Sequence, residues 1–138
     1  MAKSGKGEIN QMNNIKIKRV YDEPSEDDGY RILVDRLWPR GISKEKININ
    51  KWAKEITPST ELRKTFNHNA DKMECFKTRY YFELDNNEYA VEFINLLKDK
   101  LKEGNVTLLY ASKNTECNHA NVLKDWIEEK LIVGINRV

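Results

Sequence analysis

Tyr30-Arg31-Ile32-Leu33-Val34-Asp35 and Val106-Thr107-Leu108-Leu109-Tyr110 are the two stretches that decide the fold. Each is a short, largely apolar run, the pattern of a strand buried on both faces, as in a parallel sheet covered by helices. The chain between them has helical spacing. Met73, Phe76, Tyr80 and Leu84 recur on one stripe, and Ala90, Ile94, Leu97 and Leu101 on another. Leu62 and Phe66 mark a shorter helix that ends near Asn67-His68. After the second run, a helix from about Glu116 to Lys130 carries Leu123, Trp126 and Ile127 on its core side. Helices placed between buried strands imply an α/β layered fold.

Ile15–Val20 alternates apolar and basic residues, as a half-buried or edge strand does. The acidic link that follows, 21–29, is too short for a crossover helix, so the first two strands read as a hairpin. The expected sheet is therefore small and mixed, mainly parallel. Ser43 is placed to cap a short helical turn, and Asn50–Ile56 is a weak strand around Trp52. Gly104 reads as a left-handed helix cap, and 132–138 as one more strand. Residues 1–11 are polar, precede Met12 and read as a flexible leader, which leaves 12–138 as a single α/β domain.

Composition narrows the function classes. Charged residues are 33% of the 138, and no run approaches the ~18 apolar residues of a membrane-crossing helix. Two cysteines cannot staple a scaffold, and no apolar segment opens the chain, so a reduced, cytoplasmic location is expected. Lys plus Arg, 24, nearly balance Asp plus Glu, 22, which argues against a strong nucleic-acid binder. Phosphate-loop, dinucleotide and zinc-protease signatures are absent. Cys117, His119, His68 and Asp35 match no zinc spacing, so no metal is expected, and the sequence names neither a cofactor nor an oligomeric state.

Ligands of open α/β sheets sit beyond the carboxyl ends of the strands. Two segments leave a buried strand there and turn polar at once: Asp35-Arg36-Leu37-Trp38-Pro39-Arg40-Gly41, and the stretch from Ala111 to His119. Arg36 and Arg40 offer guanidinium forks for carboxylate or phosphate, and Trp38 offers a wall. His119 lies on the buried stripe of its helix but in the first turn, a position for a neutral imidazole beside an anion and the candidate catalytic residue. Lys113 and Asn118 are its polar neighbours, and Asp35 completes the candidate ligand-binding set. Plainer readings compete. Asp35 and Arg36 make an internal ion pair, Trp38 closes the core, and His119 closes a loop. Cys117, His68 and Tyr80 read as packing or capping residues.

The same segments carry a resemblance. I-K-R-V-Y-D at 17–22, D-G-Y-R-I-L-V-D-R-L-W-P-R-G at 28–41, P-S-T-E-L-R at 58–63, F-x-x-R-Y at 76–80, T-L-L-Y-A-S-K at 107–113 and N-H-A-N-V-L at 118–123 resemble the YeaO-like branch of the domain-of-unknown-function 488 family. The resemblance covers Ile15 to about Leu131. It implies Rossmann-like layering and a shared pocket near these motifs. Longer members of the wider family resemble one another in a D-V-R strand end and a C-H-R motif before the last helix. Asp35 and Arg36 match the first. At the second, this chain has Asn118-His119-Ala120, which keeps the histidine and not its flanks. Cys117 is one residue off, about 100° around a helix, so the resemblance carries no cysteine nucleophile to this chain.

Three function classes follow. The first is an enzyme, or former enzyme, with a small anionic ligand held by Arg36 and Arg40 beside His119. The second is a non-catalytic nucleotide or nucleic-acid binding module, to which Lys16, Lys18 and Arg19 contribute. The third is a structural or interaction protein whose polar motifs only brace loops.

Overall fold

The computed structural model describes residues 13–66, 70–115 and 118–136, with the backbone alone at 70 and 133–136. The proposed leader, His68 and Cys117 lie outside the described residues. Four strands, β1 (Ile15–Arg19), β2 (Tyr30–Leu33), β3 (Lys51–Trp52) and β4 (Val106–Tyr110), form one sheet in the order β1-β4-β2-β3. Five helices accompany it: α1 (Lys44–Ile47), α2 (Thr60–Phe66), α3 (Met73–Asp85), α4 (Ala90–Leu101) and α5 (His119–Asn136).

Every strand pair is parallel, which overturns the expected hairpin and with it the mixed sheet. β4 sits between β1 and β2, in register Ile17↔Leu108 on one side and Ile32↔Leu108 on the other. The physical reason is reach. The ten residues 20–29 can extend to roughly 33 Å, about twice the length of a five-residue strand, so a loop returns the chain without a helix.

The sheet has two covered faces, as the apolar runs require. Ile32, Val34, Val106, Leu108 and Tyr110 join the larger core, against side chains of α2, α3, α4 and α5. Leu33 and Leu109 point the other way, into a smaller cluster with Val20 and Ile47, sealed by Trp38, Ile42, Ile49 and Trp52. Burying each such aliphatic side chain stabilises the fold by about 1.5–3 kcal/mol. The helical stripes bury Phe76, Tyr80 and Leu84 on α3 and Ala90, Phe93 and Leu97 on α4.

Local chemistry sets the helix ends. Ser43 Oγ accepts from Lys46 N–H at the start of α1, and Ser59 Oγ accepts from Leu62 N–H at the start of α2. α4 does not end on a left-handed Gly104. Positive-φ glycines are Gly29 and Gly41, and the chain leaves α4 through turns onto the Lys100 carbonyl. The expected strand at 132–138 is also overturned as far as it is described: α5 runs on to Asn136, with Leu131 still packed on the core.

Candidate functional site

Because the strands are parallel, β1, β2 and β4 all release the chain at one edge, and their exits line a single cleft of about 600 Å³. From β1 comes Tyr21. From β2 come Asp35, Arg36, Leu37, Trp38, Pro39 and Arg40. From β4 come Ala111 and Ser112, with His119 at the start of α5. The far wall is Thr57, Pro58 and Thr60 with Arg63, Lys64, Phe66 and Phe76.

Asp35 organises the edge. Its Oδ2 accepts from Ala111 N–H at 2.9 Å, and its carbonyl accepts from Trp52 Nε1 at 2.7 Å. Its Oδ1 lies 3.0 Å from His119 Nε2. That nitrogen also lies 2.8 Å from the Val34 carbonyl. Both neighbours are acceptors, so Nε2 carries the proton. One proton cannot serve both, and Asp35 Oδ1 is left beside the ring, buried and without a hydrogen bond of its own.

The loops around the cleft are braced from the backbone. Arg19 donates to the carbonyls of Ser112 at 2.9 Å and Ala111 at 3.0 Å and stacks over the Tyr21 ring. Tyr21 Oη donates to the Arg40 carbonyl at 2.9 Å. Trp38 Nε1 donates to the Ile42 carbonyl at 2.7 Å, and its ring meets Trp52 edge-on at 5.2 Å between centroids. Buried Tyr80 donates to the Ile56 carbonyl at 2.6 Å, fixing the turn that leads to Pro58. Burial, with the Glu83 and Asp35 charges, keeps that phenol protonated well above the usual tyrosine range.

The cleft is cationic. Among the described residues, Arg36, Arg40, Arg63 and Lys64 line it against one carboxylate, Asp35. Arg36 donates to the Pro58 carbonyl at 3.2 Å rather than pairing with Asp35. Arg63 Nε is buried with no hydrogen-bond partner. No ion pair of Arg40, Arg63 or Lys64 occurs among the described residues.

Of the residues singled out in the sequence, Asp35, Arg36, Trp38, Arg40 and His119 come together here. Lys113 is exposed and does not line the cleft. Asn118 is fully buried and turned inward, accepting from Asn121 N–H and donating to the Asn114 carbonyl as the cap of α5. Sequence reasoning missed Arg63 and Lys64 as lining and Arg19 and Tyr21 as braces. The one available signal was P-S-T-E-L-R, which ends on Arg63.

A family model described as the inactive DUF488-N3 subclade matches residues 14–134. The uncharacterised protein YeaO of Escherichia coli is 51% identical over 114 residues, covering 83% of this chain and 96% of its own. The uncharacterised protein Rv3073c of Mycobacterium tuberculosis is 35% identical over 109 residues, covering 79% of this chain and 89% of its own. No solved structure matches the chain significantly.

Proposed function

The chain belongs to the inactive DUF488-N3 subclade, and on that premise we propose that it is a binding protein whose cleft holds a small anionic ligand without turning it over. The observation that carries the reading is the concentration of Arg36, Arg40, Arg63 and Lys64 on one cleft, in a chain whose net charge is only +2. Cations that outnumber the counter-charges around them focus the field on a concave site and favour an incoming anion. The non-catalytic half rests on the family description and on the flanks of His119. Asn118 is spent as a helix cap and Ala120 is sealed in the core, so neither flank supplies a nucleophile.

No helix among the described residues is long and apolar enough to cross a membrane. The proposal places the protein in the cytoplasm, as one domain, where small organic anions are abundant. Isothermal titration calorimetry with inorganic phosphate tests it. Saturable binding is expected, weakened about tenfold in Arg40→Ala, with organic phosphate esters recovered unchanged after prolonged incubation. An absence of saturable binding, or binding indifferent to Arg40→Ala, refutes the anion reading. Ester hydrolysis that tracks the protein refutes the non-catalytic half.

A further inference from the structure

The cleft has two features that bulk positive charge does not explain. The first is His119. Its Nε2 is tied back to the Val34 carbonyl and the Asp35 carboxylate, so the proton sits on that side of the ring. Nδ1 is then the acceptor nitrogen of the neutral ring. It has no partner among the described residues and is not among the unpartnered atoms sealed from solvent. The phosphate group of a fully ionised monoester has only acceptors to offer such a nitrogen. A ligand with a hydroxyl group matches it.

The second feature is Arg63. Its Nε is buried and unpartnered, a donor that costs free energy until an acceptor reaches the guanidinium. The cleft, at about 600 Å³, is far larger than a lone phosphate needs, and Trp38, Phe66 and Phe76 give it apolar walls.

Resting on the anion reading above, we infer that the ligand is a phosphorylated polyol, its phosphate held by Arg63 and one hydroxyl donating to Nδ1 of His119. The phosphate takes the guanidinium that the protein leaves unpaired, and the hydroxyl takes the acceptor nitrogen. The carbon chain or ring between them lies along the apolar wall. Binding forms and breaks no covalent bond.

The test compares inorganic phosphate, methyl phosphate and ribose 5-phosphate by calorimetry at one pH and ionic strength. Ribose 5-phosphate is expected to bind about tenfold more tightly than methyl phosphate to the wild type. His119→Gln keeps an amide N–H near the Nε2 position and leaves nothing at Nδ1. It should bring ribose 5-phosphate down to the affinity of methyl phosphate, itself unchanged. Arg63→Gln should weaken all three about tenfold. Two-bond nitrogen–proton correlation spectra should show His119 as the Nε2–H tautomer. Equal wild-type affinity for the two esters, a ratio that survives His119→Gln, or the Nδ1–H tautomer overturns the inference while leaving the anion reading intact. Indifference to Arg63→Gln overturns the phosphate assignment. Failure of all three probes to bind overturns the anion reading itself. The wild-type comparison and the tautomer need no variant to fold.

Discussion

The carboxylate of Asp35 accepts the Ala111 backbone N–H at 2.9 Å, a bond between the residues that leave β2 and β4. With its other oxygen beside His119, one side chain holds both halves of the cleft edge.

Asp35→Asn should separate the two jobs of that carboxylate. An amide has one oxygen and one NH2, so if the oxygen keeps the Ala111 N–H, the NH2 is turned toward His119 Nε2–H, donor against donor. The unfolding free energy should fall by about 1–3 kcal/mol, read from urea midpoints. Phosphate affinity should rise about threefold, because the cleft loses the one carboxylate that lines it among the described residues. A drop in affinity would count against the cationic field as the source of binding.

Asp28 sits fully buried below the sheet, bonded to Arg31, to Lys18 at 3.1 Å and to the Ser25 N–H at 2.9 Å. Burial alone would raise its carboxyl, but the Ser25, Lys18 and Arg31 donors prevail and hold it below the usual carboxylate range. A depressed folded value contributes stability that is complete above the unfolded value, near 4, and lost as pH falls through the folded one. Acid titration of the wild type should show that loss below about pH 4. Asp28→Asn should remove this part of the acid limb and cost about 3–5 kcal/mol at neutral pH, because Arg31 would stay buried without its counter-charge.

Gly29 has φ +65°, and a Cβ there would lie 2.0 Å from the Asn105 carbonyl oxygen, the same oxygen that accepts Tyr30 N–H at 2.9 Å. Gly29→Ala therefore meets backbone that cannot yield without breaking the entry to β2. A loss of about 3 kcal/mol or more is expected by thermal or chemical unfolding. A variant as stable as the wild type would contradict this close approach.

Tyr80→Phe should cost about 1–2 kcal/mol, because the buried Ile56 carbonyl loses its donor. Phosphate affinity should change as well, since that carbonyl fixes the turn before Pro58 on the cleft wall. In the wild type, ultraviolet titration should find Tyr80 un-ionised until the protein unfolds in base, as its raised phenol requires.

The layers were legible because burial on both faces leaves a direct mark: Ile32, Leu33, Leu108 and Leu109 are all sealed. Strand order was not, because Ile15–Arg19 reads the same beside β2 or beyond β4. Only the reach of 20–29, set against such short strands, permits the second arrangement. The candidate site was half legible. Asp35, Arg36 and Arg40 lie just past the end of β2 and His119 opens the helix that follows β4, so the parallel rule brings them together. Arg63 stands on a helix flank, and which loop that flank faces depends on how α2 docks against α3, a tertiary fact that spacing does not encode. Asn118 shows a related limit: an asparagine before a helix serves a cap or a ligand equally well until its neighbours are known, and here they make it a cap.

The placement of β4 also bears on how the chain acquires its shape. Both β1 and β2 hydrogen-bond to a strand that begins at Val106, so until synthesis passes that point β1 has nothing to pair with. The sheet cannot close from its first-made end. The nascent chain must keep Ile15 and Ile32 from other partners until β4 emerges, and closure of the sheet then becomes one late step.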